Sequence, residues 1–490
     1  MTSENKVDIA FLQPSGYGSS GFPTGIGILA QILIDNGVNV TVVDASSENL
    51  NVKQAVDQIL SQNPKILGLT GMAHSSLFIK QVSKAIRNLR PEIVQITGGA
   101  WVNSVEEFVL RNVTVDFVVT GEAEEIIVEF VQAIINGDQI PDFPGLSYLK
   151  DDQFVTVKPG RTTGRGFMYV PRKVFQQLPL PAYHLFDMEF YTVNSTPEEY
   201  FWFTGILPEL RKKGEHNKNI KVGTILSGRG CFGKCDFCGA AQTARRNSTP
   251  TYVADNMVHM NEKYGTNTFL FMESLTFAAP KWVKVFCQEL VDRNLNFHWV
   301  AISRGDFNYD DEMLDLLTRS GCIAINIGFE SGSNDLLKKM HKEVTVQQYE
   351  DIYRDFSSQN ILVFGQFITN MPGETISSLN ETADFVRRTK MLFSFGAAHP
   401  YADSKLFDWA NEHKFCEVKD VMFTRENKGK FSRNEIKDYI DRWNFNNFQF
   451  EDFHREWKNL NRIKFENSLI HSNKYIQYYI VKLIPAFFAD

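Results

Sequence analysis

The sequence predicts an α/β protein: an N-terminal doubly wound parallel sheet, then a partial (β/α)6 barrel, then a helical C-terminal extension. Three observations predict it. Short β-branched runs alternate with amphipathic stretches over residues 1–145. The alternation resumes at 221 and continues to about 404, after a linker spanning 146–220. The remainder, 405–490, is aromatic-rich, mixed in charge and mainly helical in pattern.

In the first part the strand-like runs are 7–12, 39–44, 65–71, 93–98 and 116–120. Helical patterns separate them at Gly25–Asn36, Val52–Gln62, Leu77–Leu89, Ser104–Arg111 and Glu122–Asn136. Continuous apolar strands between such helices imply a parallel sheet covered on both faces. Right-handed crossovers then put the ligand crevice at the strands' C-terminal ends. Those ends read Gln13-Pro14-Ser15-Gly16-Tyr17-Gly18, Gly71-Met72-Ala73-His74-Ser75-Ser76 and Gly98-Gly99-Ala100. Glycines there let the backbone come close to a large flat or phosphorylated ligand. A dinucleotide would call for G-x-G-x-x-G after the first strand and an acidic residue ending the second. Asp44 ends the second strand, but the glycine spacing after the first is wrong.

In the linker, Leu178-Pro179-Leu180-Pro181-Ala182-Tyr183 predicts an extended connector, held by its prolines. Residues 196–220, with Arg211-Lys212-Lys213-Gly214, read as a solvated loop rather than a lid. Six strands follow, at Val222–Leu226, Thr268–Met272, Trp299–Ser303, Ala324–Gly328, Leu362–Ile368 and Phe393–His399. In such a barrel the chemistry belongs at the C-terminal mouth. Glu273, Arg304 and Glu330 with Ser331 sit just past three successive strands. Taken singly, each could be a rim ion pair; in register they form a candidate site. Met371-Pro372-Gly373-Glu374-Thr375 reads as a structural turn after the fifth strand, and His399-Pro400-Tyr401 follows the sixth.

The most specific feature is Cys231-Phe232-Gly233-Lys234-Cys235-Asp236-Phe237-Cys238. Iron–sulfur clusters normally take four cysteines. Three at this spacing can hold three irons of a cubane and leave the fourth open to an outside molecule. A zinc site would need a fourth ligand close by. No histidine lies in or directly after the loop, and Cys287, Cys322 and Cys416 are scattered. Six cysteines with three clustered suit a metal site in a reduced compartment, not a disulfide framework.

The C-x3-C-x2-C run with Phe237 resembles the radical S-adenosylmethionine (SAM) superfamily. Further matches are Thr24-Gly25-Ile26-Gly27-Ile28-Leu29, Asp44-Ala45, Thr70-Gly71, Gly98-Gly99, Gly121-Glu122-Ala123-Glu124, the proline connector and Gly328-Phe329-Glu330-Ser331-Gly332-Ser333. With these, residues 7–406 resemble the cobalamin-dependent (B12-binding) radical SAM class. The resemblance implies a [4Fe-4S] cluster on Cys231, Cys235 and Cys238, with SAM on its open iron. It implies Phe237 near the adenine, Glu273 at the SAM amino group and Arg304 at its carboxylate. Glu330 and Ser331 would hold the ribose hydroxyls and amino-acid portion. Gly98 and Gly99 would leave room for the cobalamin nucleotide tail, flanked by Ser75, Ser76 and Leu77. The chain departs from the pattern in several places. The D-x-H-x-x-G loop that supplies an axial histidine is absent, and His74 is read as an ordinary loop histidine. Asn370 stands where glycine is usual, and His399 with Ala402-Asp403 alters the last turn, where Tyr401 is a candidate substrate contact.

The activity so implied is methylation of an unactivated carbon, or phosphorus, in a natural product, peptide or lipid. It would run through a 5′-deoxyadenosyl radical and methylcobalamin, with an electron donor such as flavodoxin or ferredoxin. The alternative is radical rearrangement, cyclisation, oxidation or dehydration without methyl transfer, with the cobalamin fold occupied or empty. Methylthio transfer to RNA or a ribosomal protein is disfavoured, because the first 220 residues contain no cysteine. A sensor would need an output domain, and none is apparent. Net charge is −7 over 490 residues without a long basic tract, which argues against a nucleic-acid partner. No secretory h-region opens the chain. The apolar run Tyr475 to Phe488, broken by Lys482 and Pro485, is too short to span a bilayer and reads as a packing helix. These features set the expectation of a cytoplasmic enzyme with a small-molecule or peptide substrate.

Overall fold

The computed structural model describes residues 7–15, 21–158, 160, 162, 166–192, 221–422 and 432–471, with the side chains of 468–471 excepted. Gly16-Tyr17-Gly18, the polar stretch 196–220 and the apolar run 475–488 lie outside the described residues. Two compact units form. One is Met1–Tyr191 with Ala241–Asn247 and Pro400–Lys428; the other is Thr192–Ala240, Ser248–His399 and Gly429–Asp490. Each is described by itself.

In the first unit β1 (Ile9–Gln13), β2 (Val40–Asp44), β3 (Ile66–Thr70), β4 (Val94–Gly98) and β5 (Phe117–Val119) are parallel. They alternate with α1 (Thr24–Asp35), α2 (Val52–Gln62), α3 (Ser76–Leu89), α4 (Glu106–Asn112) and α5 (Ile127–Asn136). Every residue of β1 is buried, as a strand covered on both faces should be. Helix starts follow local chemistry: Asn51 and Gln54 close a capping box on α2. Sheet order is β2-β1-β3-β4-β5-β6-β7, so the order reverses between β1 and β3, where a doubly wound sheet opens its crevice.

The last two strands are a finding. β6 (Leu146–Lys150) and β7 (Gln153–Thr156) form an antiparallel hairpin on β5, at the start of the stretch read as linker. Its turn residues Asp151 and Asp152 both have positive φ, 49° and 62°, as the primed two-residue hairpin turn requires. Beyond it, the proline connector returns to the sheet's helices: Ala182 N donates to the Gly27 carbonyl at 2.9 Å. Val170, Phe175 and Leu178 pack with Ile28 of α1.

In the second unit β8 (Val222–Ile225), β9 (Thr268–Phe271), β10 (His298–Arg304), β11 (Cys322–Glu330), β12 (Leu362–Thr369) and β13 (Leu392–Ala397) form one parallel sheet in chain order. The crossover helices are α6 (Pro250–Tyr264), α7 (Pro280–Asp292), α8 (Asp311–Arg319), α9 (Asn334–Lys339), α10 (Val346–Ser358) and α11 (Ile376–Thr389). Neighbouring strands in sequence order are what a partial barrel requires. Trp299 packs on Phe271 and Phe286, and Phe329 packs on Tyr349 of α10 and Phe385 of α11. Those side chains mark the helix-covered face; their alternates Arg304 and Gly328, paired in register, lie on the concave one. Of the C-terminal helices, α12 (Lys405–Glu412) belongs to the first unit, and α13 (Arg433–Arg442) and α14 (Phe450–His471) belong to this one. Phe453 and Trp457 of α14 pack with Ile436 and Ile440 of α13 and Leu379 of α11. Among the described residues no helix is long and apolar enough to cross a membrane.

Candidate active site

The cysteine loop follows β8 at the C-terminal edge of the second sheet. Cys231 and Cys235 are buried, and Cys238 and Phe237 are half-buried. Burial pushes the Cys235 thiol up, and that of Cys238 up to about 11. Two donors already address the sulfurs: Gly233 N donates to Cys231 Sγ at 3.4 Å, and Arg304 Nη1 donates to Cys235 Sγ at 2.8 Å. Hydrogen bonds to cysteine sulfur are a normal outer shell of an iron–sulfur site, so the donor set fits a cluster. Among the described residues no three His, Cys, Asp or Glu side chains converge on one metal position. A cubane does not ask for that, since each cysteine takes a different iron.

The turn after α9 braces the loop from the other side. Asp236 N donates to the Met340 carbonyl at 3.2 Å, and His341 Nδ1 lies 2.7 Å from Asp236 Oδ2. Lys234 Nζ reaches Glu343 at 2.9 Å. The next residue in that turn, Lys342, is buried and pairs with Glu330 at 2.9 Å. Gly328 lies beneath the pair, where a Cβ would sit 2.3 Å from Glu330 Oε1. Glu330 itself has a φ of 66° at a break in the β11 register. A carboxylate is thus held near the cysteine loop by one buried ammonium.

The other expected residues acquire specific partners. Glu273, buried just past β9, accepts from Ser227 N at 2.6 Å and from the Ser227 hydroxyl. Arg304, expected at the SAM carboxylate, has three partners within the protein. Its Nε meets both Asp306 oxygens at 3.0 and 2.9 Å and its Nη2 donates to the Lys342 carbonyl at 2.6 Å, besides the bond to Cys235. Ser331, expected beside Glu330 at SAM, also has partners within the fold. It is fully buried, its hydroxyl lies 3.2 Å from Thr382 Oγ1 and it accepts from Ser333 N at 3.0 Å, so it ties β11 to α11.

Past β12, Asn370 shows why it can replace glycine. Its φ is 61°, a region asparagine tolerates. Its amide donates to Tyr439 Oη at 3.0 Å and to the Trp443 carbonyl at 2.6 Å, tying the turn to α13. Glu374 in the same turn accepts from Asn370 N and is fully buried, which pushes its carboxyl up to about 8. His399 packs edge-on to Trp443 at 4.7 Å, and burial lowers its pKa to about 4. Tyr401 is half exposed, with its carbonyl taken by Ser404.

At the crevice of the first unit, Gly99 has a φ of 88°, and a Cβ there would meet Thr70 Oγ1 at 2.5 Å. A Cβ on Gly98 would press on the Val119 carbonyl at 3.1 Å. Both glycines therefore serve the close approach of β3, β4 and β5. Ser75 and Ser76 are buried where a short turn enters α3, whereas Met72 is exposed beside them. Asp44 is used within the fold: it accepts from Ser46 N and Ser47 N at 3.1 Å and from Tyr191 Oη at 2.9 Å. Glu122 forms a two-pronged pair with buried Arg246 at 2.5 and 2.8 Å and accepts from Val170 N. Sequence reading missed Lys342, Asp306, Arg246 and the role of Gly233. Only the glycine inside the cysteine loop carried a local signal.

Residues 225–386 match the Radical SAM superfamily and residues 16–131 match the B12 binding domain. An uncharacterized methyltransferase of Pyrococcus horikoshii is 24% identical over 437 residues, covering 85% of this chain and 87% of that protein. The anaerobic magnesium-protoporphyrin IX monomethyl ester cyclase of Rubrivivax gelatinosus is 25% identical over 374 residues, covering 74% of this chain and 62% of the cyclase. Among solved structures, the radical SAM methyltransferase TsrM of Kitasatospora setae, with tryptophan and a SAM analogue bound, superposes with a TM-score of 0.65 at 18% identity. That match covers 82% of this chain and 76% of TsrM, and shows a shared fold.

Proposed function

From a chain that carries a B12-binding domain and a radical SAM domain, and hence is an enzyme using SAM, a [4Fe-4S] cluster and cobalamin, we propose a methyltransferase acting on an unactivated carbon or phosphorus of a small molecule or peptide. The observation that carries the reading is the buried cysteine loop at the barrel mouth, already addressed by N–H donors. When bound, the cluster with SAM supplies a carbon-centred radical and the cobalamin a transferable methyl group.

The protein's part is placement and exclusion of water. Cys231, Cys235 and Cys238 would hold the cluster, and half-buried Phe237 would lie against the adenine. Glu273 and the Glu330–Lys342 pair would meet the polar parts of SAM. The crevice between β1 and β3, with exposed Met72 at its edge, would receive the cobalamin face near Ser75, Ser76, Gly98 and Gly99. A soluble low-potential donor such as flavodoxin or ferredoxin would deliver electrons.

A second reading is favoured by one observation, the similarity to the Rubrivivax cyclase: radical cyclisation without methyl transfer. Methyl-labelled SAM incubated anaerobically with the loaded protein and a metabolite extract separates the two. A product heavier by one labelled methylene unit supports methyl transfer. Accumulating 5′-deoxyadenosine with unlabelled products supports the cyclase reading.

A further inference from the structure

We infer that Arg304 sets the reduction potential of the cluster held by the cysteine loop, acting as a positioning residue through Cys235. The inference rests on the reading of that loop as a cluster site. The guanidinium is almost fully buried and every nitrogen is directed: Nε to Asp306, Nη2 to the Lys342 carbonyl and Nη1 to Cys235 Sγ at 2.8 Å. Two fixed anchors hold the third arm on the sulfur, so this is not a surface arginine that happens to reach a thiol.

The loop is built to admit it. A Cβ on Gly233, midway between Cys231 and Cys235, would lie 2.1 Å from Nη1 and 2.8 Å from Cζ of Arg304. Any other residue would displace the guanidinium. The same Gly233 donates its N–H to Cys231 Sγ, so one residue supplies one sulfur donor and clears the way for another.

The chemical consequence follows from charge. One electron from a low-potential donor takes the cluster from its oxidised to its reduced form and adds one negative charge, while Arg304 remains protonated and no proton moves. Hydrogen bonds to cluster sulfurs and local charge set such potentials. A buried cation donating to Cys235 stabilises the reduced form, and Asp306 on the same guanidinium damps that effect.

The test is a redox titration of the anaerobically reconstituted protein, followed by the electron paramagnetic resonance signal of the reduced cluster. Arg304→Met should make reduction about tenfold less favourable at each potential, about 59 mV more negative, at unchanged iron content. Asp306→Asn should move the potential the other way, and Arg304→Lys should fall between wild type and Arg304→Met. A purely structural role would leave the potential unmoved in Arg304→Met or shift it in the same direction in Asp306→Asn. Either result overturns the inference. If Arg304→Met takes up no iron, Asp306→Asn decides alone, since it retains the arginine. Wild-type protein that assembles no cluster overturns the cluster reading itself, a failure distinct from an unmoved potential.

Discussion

The two sheets solve the problem of holding a large cofactor in opposite ways. At the doubly wound crevice the distinctive residues are used on the fold: Gly98 and Gly99 let strands approach, Asp44 closes its own turn and Glu122 takes Arg246. At the barrel mouth the distinctive residues are charged, buried and paired around three thiols: Arg304 with Asp306, and Lys342 with Glu330. On the proposed reading the first surface would recognise its cofactor by shape and backbone, and the second by ligation and charge, where an unpaired group in low dielectric is costly. A single substitution should therefore act through geometry in one unit and through electrostatics in the other.

The largest expected effect is at the barrel. Cys235→Ala should abolish 5′-deoxyadenosine formation while cobalt uptake persists; continued SAM cleavage would break the comparison at its root. Next, Lys342→Met strands the buried Glu330 carboxylate and should cost about 3–5 kcal/mol in urea unfolding. Replacing both partners by apolar residues should cost much less, and an equal cost would mean that packing, not charge, governs this site.

A pH experiment sharpens the same point. The Glu374 carboxyl is pushed up to about 8 by burial, above its value in the unfolded chain. The folded state then binds the extra proton, so this contribution to stability is full at low pH and is lost as pH rises towards 8. Glu374→Gln should flatten that decline, by on the order of 2 kcal/mol, in melts from mildly acid to mildly alkaline pH. A parallel decline in the variant would refute it. The smallest effect belongs to the crevice. Gly99→Ala should cost about 1–2 kcal/mol, because its backbone (φ 88°, ψ −179°) lies in a region that essentially only glycine adopts, and should reduce cobalt uptake with iron content unchanged. Thr70→Ala should recover part of the loss by removing the clash at Oγ1.

Legibility in the sequence tracked locality. The strand runs were visible because parallel strands buried on both faces must be apolar throughout, as β1 is. The cysteine loop was visible because its three thiols lie within eight residues. Glu273, Arg304 and Glu330 were found because each closely follows or ends a strand, but their pairings were not. Lys342 reaches Glu330 from across α9, and Arg304 crosses 69 positions to Cys235. The hairpin β6–β7 was overlooked because its period-two pattern is short and its Asp151-Asp152 turn carries no glycine.

By itself, then, the sequence determined the two α/β modules, the order of the barrel strands and the thiols that would bind iron. These rest on apolar periodicity and on the spacing of reactive groups, both local properties of the chain. Only the tertiary structure decided what each charge does. It placed Arg304 on a sulfur, tied Ser331 to Thr382 of α11 and gave Glu330 its ammonium. The physical reason is that pairing energies in a buried site depend on distances of a few ångströms between residues far apart in sequence, and the chain sets those distances only once it has folded.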